Sequence, residues 1–155
     1  TRAANVYGPG QSLYRIIPRT FIEALTGGKL ILDGGGKSIR SFIHANDVSS
    51  ATLKISLEGK IGDSYHISGK QSIDIKSLVE IIADLTQVPI KQFVEYGPDR
   101  PGKDYAYLLN SDKLREKLGW SDNIGLISGL KETLDWMIDN LDFLKNYSRE
   151  YIHKK

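Results

Sequence analysis

At 155 residues, 40% hydrophobic and 26% charged, the chain has an ordinary globular composition and room for one compact domain or a large piece of a bigger one. No apolar run approaches the roughly 18 residues a membrane-spanning helix needs. The absence of cysteine excludes disulfides, thiolate metal ligands and a cysteine nucleophile, and is compatible with a reducing cytoplasm. Lys and Arg total 21 against 19 acids, a net charge of +2, and the basic residues are scattered rather than gathered, which argues against a nucleic-acid partner. The basic cluster Arg149, His153, Lys154 and Lys155 reads as a solvated tail. No signal peptide is visible. The only methionine is Met137 and the chain starts at Thr1, so the expectation is a start made by truncation, processing or design.

In chain order, residues 2–7 read as the end of a strand, broken by Gly8-Pro9-Gly10. Pro18 suits the first turn of a helix with Phe21, Ile22 and Leu25 on one face and Gly27 as its stop. Leu30–Leu32 reads as a strand, Asp33 to Gly36 as a turn, and Ile39–Ile43 as a second strand. Asn46 or Asp47 can cap the next helix, in which Val48, Ala51, Thr52 and Ile55 share a face. Ser64–Ile67 is a further strand. Asp74 reads as the N-cap of a helix reaching Thr86, with Ile73 and Leu78 placed as a hydrophobic staple. Lys91–Tyr96 alternates like a strand, and residues 97–102 form a loop. Ser111 caps a short helix with Leu114 and Leu118 inward, stopped by Gly119. Leu126, Leu130, Leu134, Met137, Leu141 and Leu144 form one stripe with helical spacing. The pattern is α/β, helix-rich with short strands.

Several features imitate chemistry. Gly34-Gly35-Gly36 could cradle a phosphate, but such loops feed a helix whose N-terminus holds the anion, and here a strand follows. Tyr151 and Lys155 form a Tyr-x-x-x-Lys pair on a charged tail, a chance match. His44, His66 and His153 lack the spacing of a metal site, and no Gly-x-Ser-x-Gly elbow is present.

An ordered set of segments is more informative. Arg2 to Gln11 (RAANVYGPGQ) comes first, then Ile17-Pro18, Gly34 to His44 (GGGKSIRSFIH), Tyr65 to Gly69 (YHISG) and Asp99 to Asp104 (DRPGKD). Ser111-Asp112-Lys113-Leu114, Leu118-Gly119-Trp120 and Gly129-Leu130 complete it. In this order and spacing the chain resembles, over essentially its whole length, the C-terminal part of extended short-chain dehydrogenase/reductases acting on nucleotide sugars. It is most similar to the dTDP-glucose 4,6-dehydratase group.

The resemblance implies that residues 1–155 are the substrate-binding lobe of an extended Rossmann-type dehydratase or epimerase, helix-rich with short strands, without the NAD-binding half. It implies a nucleoside-diphosphate sugar as partner, with Asn5 and Arg15 on the sugar-diphosphate and Arg40 and Arg100 closing on the nucleotide. His66, where the family usually has Asn, joins that substrate-binding set. For each arginine the plain alternative is a surface ion pair. Tyr7-Gly8-Pro9, Asp47 and Trp120 read as scaffold, shaping a turn, capping a helix and packing a helix end.

The chain departs from the family at Asp33, where an aromatic residue usually stacks on the base. It departs also at Ser41, where an Asp often follows the arginine, and at Tyr105-Ala106-Tyr107, where an Arg often follows Asp104. Base and sugar are therefore open. The family's reaction oxidises the sugar at C4 with NAD, eliminates water across C5–C6 and returns hydride to C6. Neither a Gly-x-x-Gly-x-x-Gly turn nor an internal Tyr-x-x-x-Lys occurs, so the expectation is a lyase parent of carbohydrate biosynthesis and a fragment inert alone. An epimerase or decarboxylase parent, or a non-enzymatic binding module, remains open, and uncovered faces near Val48, Ala51, Thr52, Ile55 or Val6 are expected to drive self-association into a homo-oligomer.

Overall fold

Two short strands, β1 (Arg2–Ala3) and β2 (Asn5–Tyr7), open the chain, and the Gly8-Pro9-Gly10 turn, with Gly10 at φ 80°, redirects it into α1 (Ile16–Thr26). The computed structural model describes residues 1–102 and 104–151; Lys103, and His153, Lys154 and Lys155 of the basic tail, lie outside the described residues. Pro18 sits in the first turn of α1, where its missing N–H costs nothing, and Gly27 ends the helix at φ 68°. β3 (Leu30–Asp33) then runs into a single 3-10 turn over Gly34–Gly36, followed by β4 (Ile39–His44) and α2 (Ala45–Glu58).

Next come β5 (His66–Ile67), β6 (Ser72–Asp74), α3 (Ile75–Thr86), α4 (Ile90–Phe93), β7 (Val94–Gly97) and β8 (Ala106–Tyr107). Three helices close the described chain: α5 (Asp112–Leu118), α6 (Leu126–Asp139) and α7 (Leu141–Leu144).

Among the described residues the strands make three small sheets. β1 pairs with β5 and β3 with β7, both parallel. In the third, β4 is central: Phe42–His44 pair with β2 in parallel, while Ile39–Ser41 pair with β6 antiparallel and Ile39–Arg40 with β8 in parallel. Phe21 and Ile22 of α1, Leu78 and Ile82 of α3, and Leu130 and Met137 of α6 form one core cluster. A second joins Ile43, Ala51, Ile67, Leu114 and Trp120; a third lies beneath β3 and β7 around Leu32, Val79 and Phe93.

Several local expectations are corrected. Neither Asn46 nor Asp47 is the N-cap of α2; His44 is, its Nδ1 accepting the Asn46 N–H at 3.4 Å. Asp47, 3% exposed, instead accepts the backbone N–H groups of Asn123 and Ile124 at 3.0 and 3.1 Å, fixing the approach to α6. Ser111 holds the N-cap position of α5, but its hydroxyl donates to the Ser68 carbonyl rather than capping. Lys91 to Phe93 belong to α4, because Pro89 starts a helical turn there, and the strand begins only at Val94. The last stripe faces the core as expected, with Leu126 and Leu141 only partly buried, but it divides at Asn140 into α6 and α7.

The glycine run joins strands of different sheets, so it is a crossover turn and no hairpin. On α2, Ala51 is buried, Val48 and Ile55 pack against the second core cluster, and Val6 is half-buried against the same cluster. Thr52 alone of that face is exposed, its hydroxyl turned back to the Val48 carbonyl. The uncovered apolar side chains of α2 are Leu53 and Leu57 on the opposite side, with Ile61 just beyond the helix. Asp74 caps α3 as expected, accepting from Ser77 N–H at 2.9 Å, and Trp120 packs behind Gly119 with its indole donating to Ser50. No helix among the described residues is long and apolar enough to cross a membrane.

Candidate functional site

The start of β2 with the residues before it, the start of α1, β3 and the loop after β7 enclose a cleft of about 880 Å³. Asn5, Arg15 and Arg100 border it. A smaller cavity of about 200 Å³ adjoins it, sharing Asn5, Asp33 and Arg100, and Arg40 borders that one. The fold therefore gathers Asn5, Arg15, Arg40 and Arg100 around one connected space. His66 lies on β5 paired with Arg2 and borders none of these cavities. A third cavity, of about 1000 Å³, lies between the 69–73 and 121–128 segments and holds none of the five.

Each side chain is placed by local structure. Asn5 on β2 borders the cleft, and its amide donates to the Ser41 carbonyl of β4 at 3.0 Å. Arg15 is the N-cap residue of α1, and its guanidinium lies over the Tyr14 ring at 5.1 Å. Arg40 donates from Nη1 to the Ile39 carbonyl at 2.7 Å and from Nη2 to the Asp104 carbonyl at 3.0 Å. It thus ties β4 to the far end of the loop that carries Arg100. The Arg100 Nε meets the Asp33 carboxylate at 2.6 Å while its side chain stays 72% exposed.

The electrostatics suit an anion. Arg15, Arg19, Lys29, Arg100 and Arg149 border the larger cleft against Asp33 and Glu150, a local excess of +3. Glu23 stands just behind, paired with Arg19 and Arg149. The N-terminus of α1, with no side-chain cap and no acid in its first turn, opens on the same cleft through Ile16 and Ile17, adding the positive end of the helix dipole. Planar guanidinium forks match phosphate oxygens, so the arrangement can hold a diphosphate.

The sequence reading missed Tyr14, Arg19, Lys29 and Arg149. For Arg19 and Arg149 the signal available was Glu23, a carboxylate on the buried face of α1, which demands cationic partners; Tyr14 and Lys29 carried none.

A separate buried group lies between β2, β4, α2 and α6. Tyr7 stacks edge-on to His44 at 5.3 Å and donates to the Leu126 carbonyl at 3.4 Å, while His44 Nε2 is 3.7 Å from Glu132. Burial, reinforced by Asp47 and Glu132, pushes the Tyr7 phenol well above its ordinary range. Its hydroxyl keeps its proton for the Leu126 carbonyl.

The glycine run does not fit a dinucleotide. A side-chain carbon at Gly34 would meet the Asp99 carboxylate, and one at Gly36 would meet the Lys76 backbone nitrogen at 2.9 Å. The chain itself closes in beside Gly34 and Gly36, and the next element is a strand rather than the helix whose N-terminus would hold the anion.

The fold is the α/β fold of Rossmann-type dehydratases and epimerases. A sequence profile described as GDP-mannose 4,6 dehydratase matches residues 1–133, and the chain belongs to that family. A dTDP-glucose 4,6-dehydratase of Shigella flexneri is 33% identical over 94% of this chain and 42% of its own. A human dTDP-D-glucose 4,6-dehydratase is 32% identical over 96% of this chain and 44% of its own. The solved dTDP-glucose 4,6-dehydratase of Streptomyces venezuelae, which contains NAD, has TM-score 0.87 at 30% identity over 92% of this chain and 44% of that one. A Thermotoga maritima UDP-glucose 4-epimerase solved with UDP-glucose has TM-score 0.84 at 29% identity, over 90% of this chain and 45% of that one. The chain thus spans under half the length of these relatives.

Proposed function

We propose that residues 1–155 form the nucleotide-sugar-binding lobe of an NAD-dependent sugar-nucleotide 4,6-dehydratase, with Asn5, Arg15, Arg40 and Arg100 around the diphosphate; His66, which borders none of the cavities, drops out of the substrate set. The observation that carries this reading is the +3 cleft bordered by three of those residues in a chain of this family. Arg100 and Arg15 bind the phosphate oxygens, Arg40 holds the 99–104 loop so that Arg100 faces them, and Asn5 orients the sugar end from β2.

NAD, when bound, supplies hydride transfer. The glycine run of this chain does not fit it, so in this proposal the cofactor and the groups that move protons belong to the rest of the parent fold. The isolated chain is then inert, and a cytoplasmic setting belongs to the same reading. An epimerase parent is the second reading, supported by the near-equal likeness to the UDP-glucose 4-epimerase.

The test is titration calorimetry of the purified chain with UDP-glucose and with glucose, alongside an NAD turnover assay. The expected outcome is binding of the nucleotide sugar only, and no turnover. Equal binding of both ligands, or none of either, overturns the site; NAD-dependent turnover overturns the division of labour. Self-association through Leu53, Leu57 and Ile61 is part of the same proposal. Sedimentation should give a mass above the monomer, reduced by Leu57→Glu.

A further inference from the structure

Glu23 projects from the inward face of α1 and is only 2% exposed. A carboxylate so buried is costly unless cations compensate it. One is Arg19, a turn earlier on the same helix; the other is Arg149, 126 residues on, whose Nη1 reaches Glu23 Oε2 at 2.7 Å. The clamp is doubled, because Arg19 Nη1 donates to the Arg149 carbonyl at 2.6 Å and Arg149 Nη2 reaches the Thr26 hydroxyl at 3.3 Å. A merely solvated tail needs no such anchoring. Its consequence is geometric: Tyr151 is set edge-on to Tyr14 at 5.1 Å, and Tyr14 in turn carries the Arg15 guanidinium. Arg149, Glu150 and Tyr151 all border the 880 Å³ cleft, and the Tyr151 ring is 62% exposed.

We propose that the segment Arg149–Tyr151 is one wall of the nucleotide site, with the Tyr151 ring as a stacking face for the base and Glu23 as the residue that positions it. This rests on the reading of the cleft as a nucleoside-diphosphate site. An aromatic face accepts any base, because every base has a π face, while the neighbouring Arg15 serves the phosphates.

The experiment compares UDP with inorganic pyrophosphate on the 155-residue chain by calorimetry. Tyr151→Ala is expected to weaken UDP about fivefold or more, the low end of base–aromatic stacking, and to leave pyrophosphate unchanged. Tyr151→Phe keeps the ring and should bind UDP like the parent chain. Glu23→Gln loosens the clamp, so trypsin should cut after Arg149 faster than in the parent chain, and UDP affinity should fall in the same pattern. Unchanged UDP binding by Tyr151→Ala, or equal loss of UDP and pyrophosphate, overturns the wall while leaving the diphosphate site standing. Binding of neither ligand by the parent chain overturns the site reading, and this proposal with it.

Discussion

The Arg100 guanidinium and the Asp33 carboxylate, 67 positions apart, meet at 2.6 Å where the two connected cavities join. Asp33 also stands where the resembling family usually has an aromatic residue. An arriving diphosphate must therefore compete with a resident carboxylate for the same cation. Arg100 is largely exposed and Asp33 partly so, and a pair so open to solvent is by itself worth under about 1 kcal/mol.

Removing the competitor should help the ligand. Asp33→Asn is expected to tighten nucleoside-diphosphate binding severalfold, and Arg100→Ala to weaken it roughly ten- to a hundredfold, one charge-assisted contact. Arg40→Lys should recover only part of the Arg40→Ala loss, because an ammonium cannot span the Ile39 and Asp104 carbonyls as the fork does. Calorimetry at two salt concentrations reads these effects. Weaker binding by Asp33→Asn would mean that Asp33 itself contacts the ligand.

Asp47 ties α2 to the loop before α6 with two charge-assisted bonds in a buried setting. Its replacement by Ala should cost roughly 3 kcal/mol, since two N–H groups lose their acceptor. Asn keeps one acceptor oxygen and should cost about half as much. Urea unfolding followed by circular dichroism measures both; a loss under about 0.5 kcal/mol for Asp47→Ala would show that water replaces the carboxylate.

Gly129 lies inside α6, where Ala ordinarily stabilises a helix by up to about 1 kcal/mol. Here a methyl would run into the Tyr7 hydroxyl and ring. Gly129→Ala is therefore expected to destabilise, by about 1–3 kcal/mol, the usual range for overpacking. Adding Tyr7→Phe, which removes the hydroxyl, should return part of it. A raised melting temperature for Gly129→Ala would show that the two elements separate easily.

The Asp74 carboxyl is held below the ordinary carboxylate range, first by the Ser77 hydroxyl and then by the Ser77 N–H that it accepts as cap of α3. A lowered folded value means that the unfolded chain takes up the proton first as the pH falls. The stabilisation is thus fully present above the ordinary carboxylate value, about pH 4, and is lost as the pH drops through the folded value. Asp74→Ala should cost about 1 kcal/mol at pH 7 and less at pH 3; Asp74→Asn, a comparable cap, should be nearly neutral at pH 7. Denaturant unfolding at both pH values decides it, and an acid-independent gap between Asp74→Ala and the parent chain would contradict the cap.

The sequence by itself determined the features whose causes lie within about ten residues. Pro18 and Gly27 bound α1, Asp74 and the Ile73–Leu78 spacing begin α3, and Gly119 stops α5, because caps and helical periodicity are local. It also carried the ordered motifs that placed Asn5, Arg15, Arg40 and Arg100 together. What only the tertiary structure decided has partners far along the chain. β6 and β8, at three and two residues, are too short to show a period, and exist because β4 offers them its edges. Asp47 looked like a cap by position, but its acceptors point at N–H groups 76 and 77 residues away. Arg149 looked like a solvated tail residue, and became part of the cleft because a buried carboxylate on α1 requires a second cation that only the folded chain brings within reach.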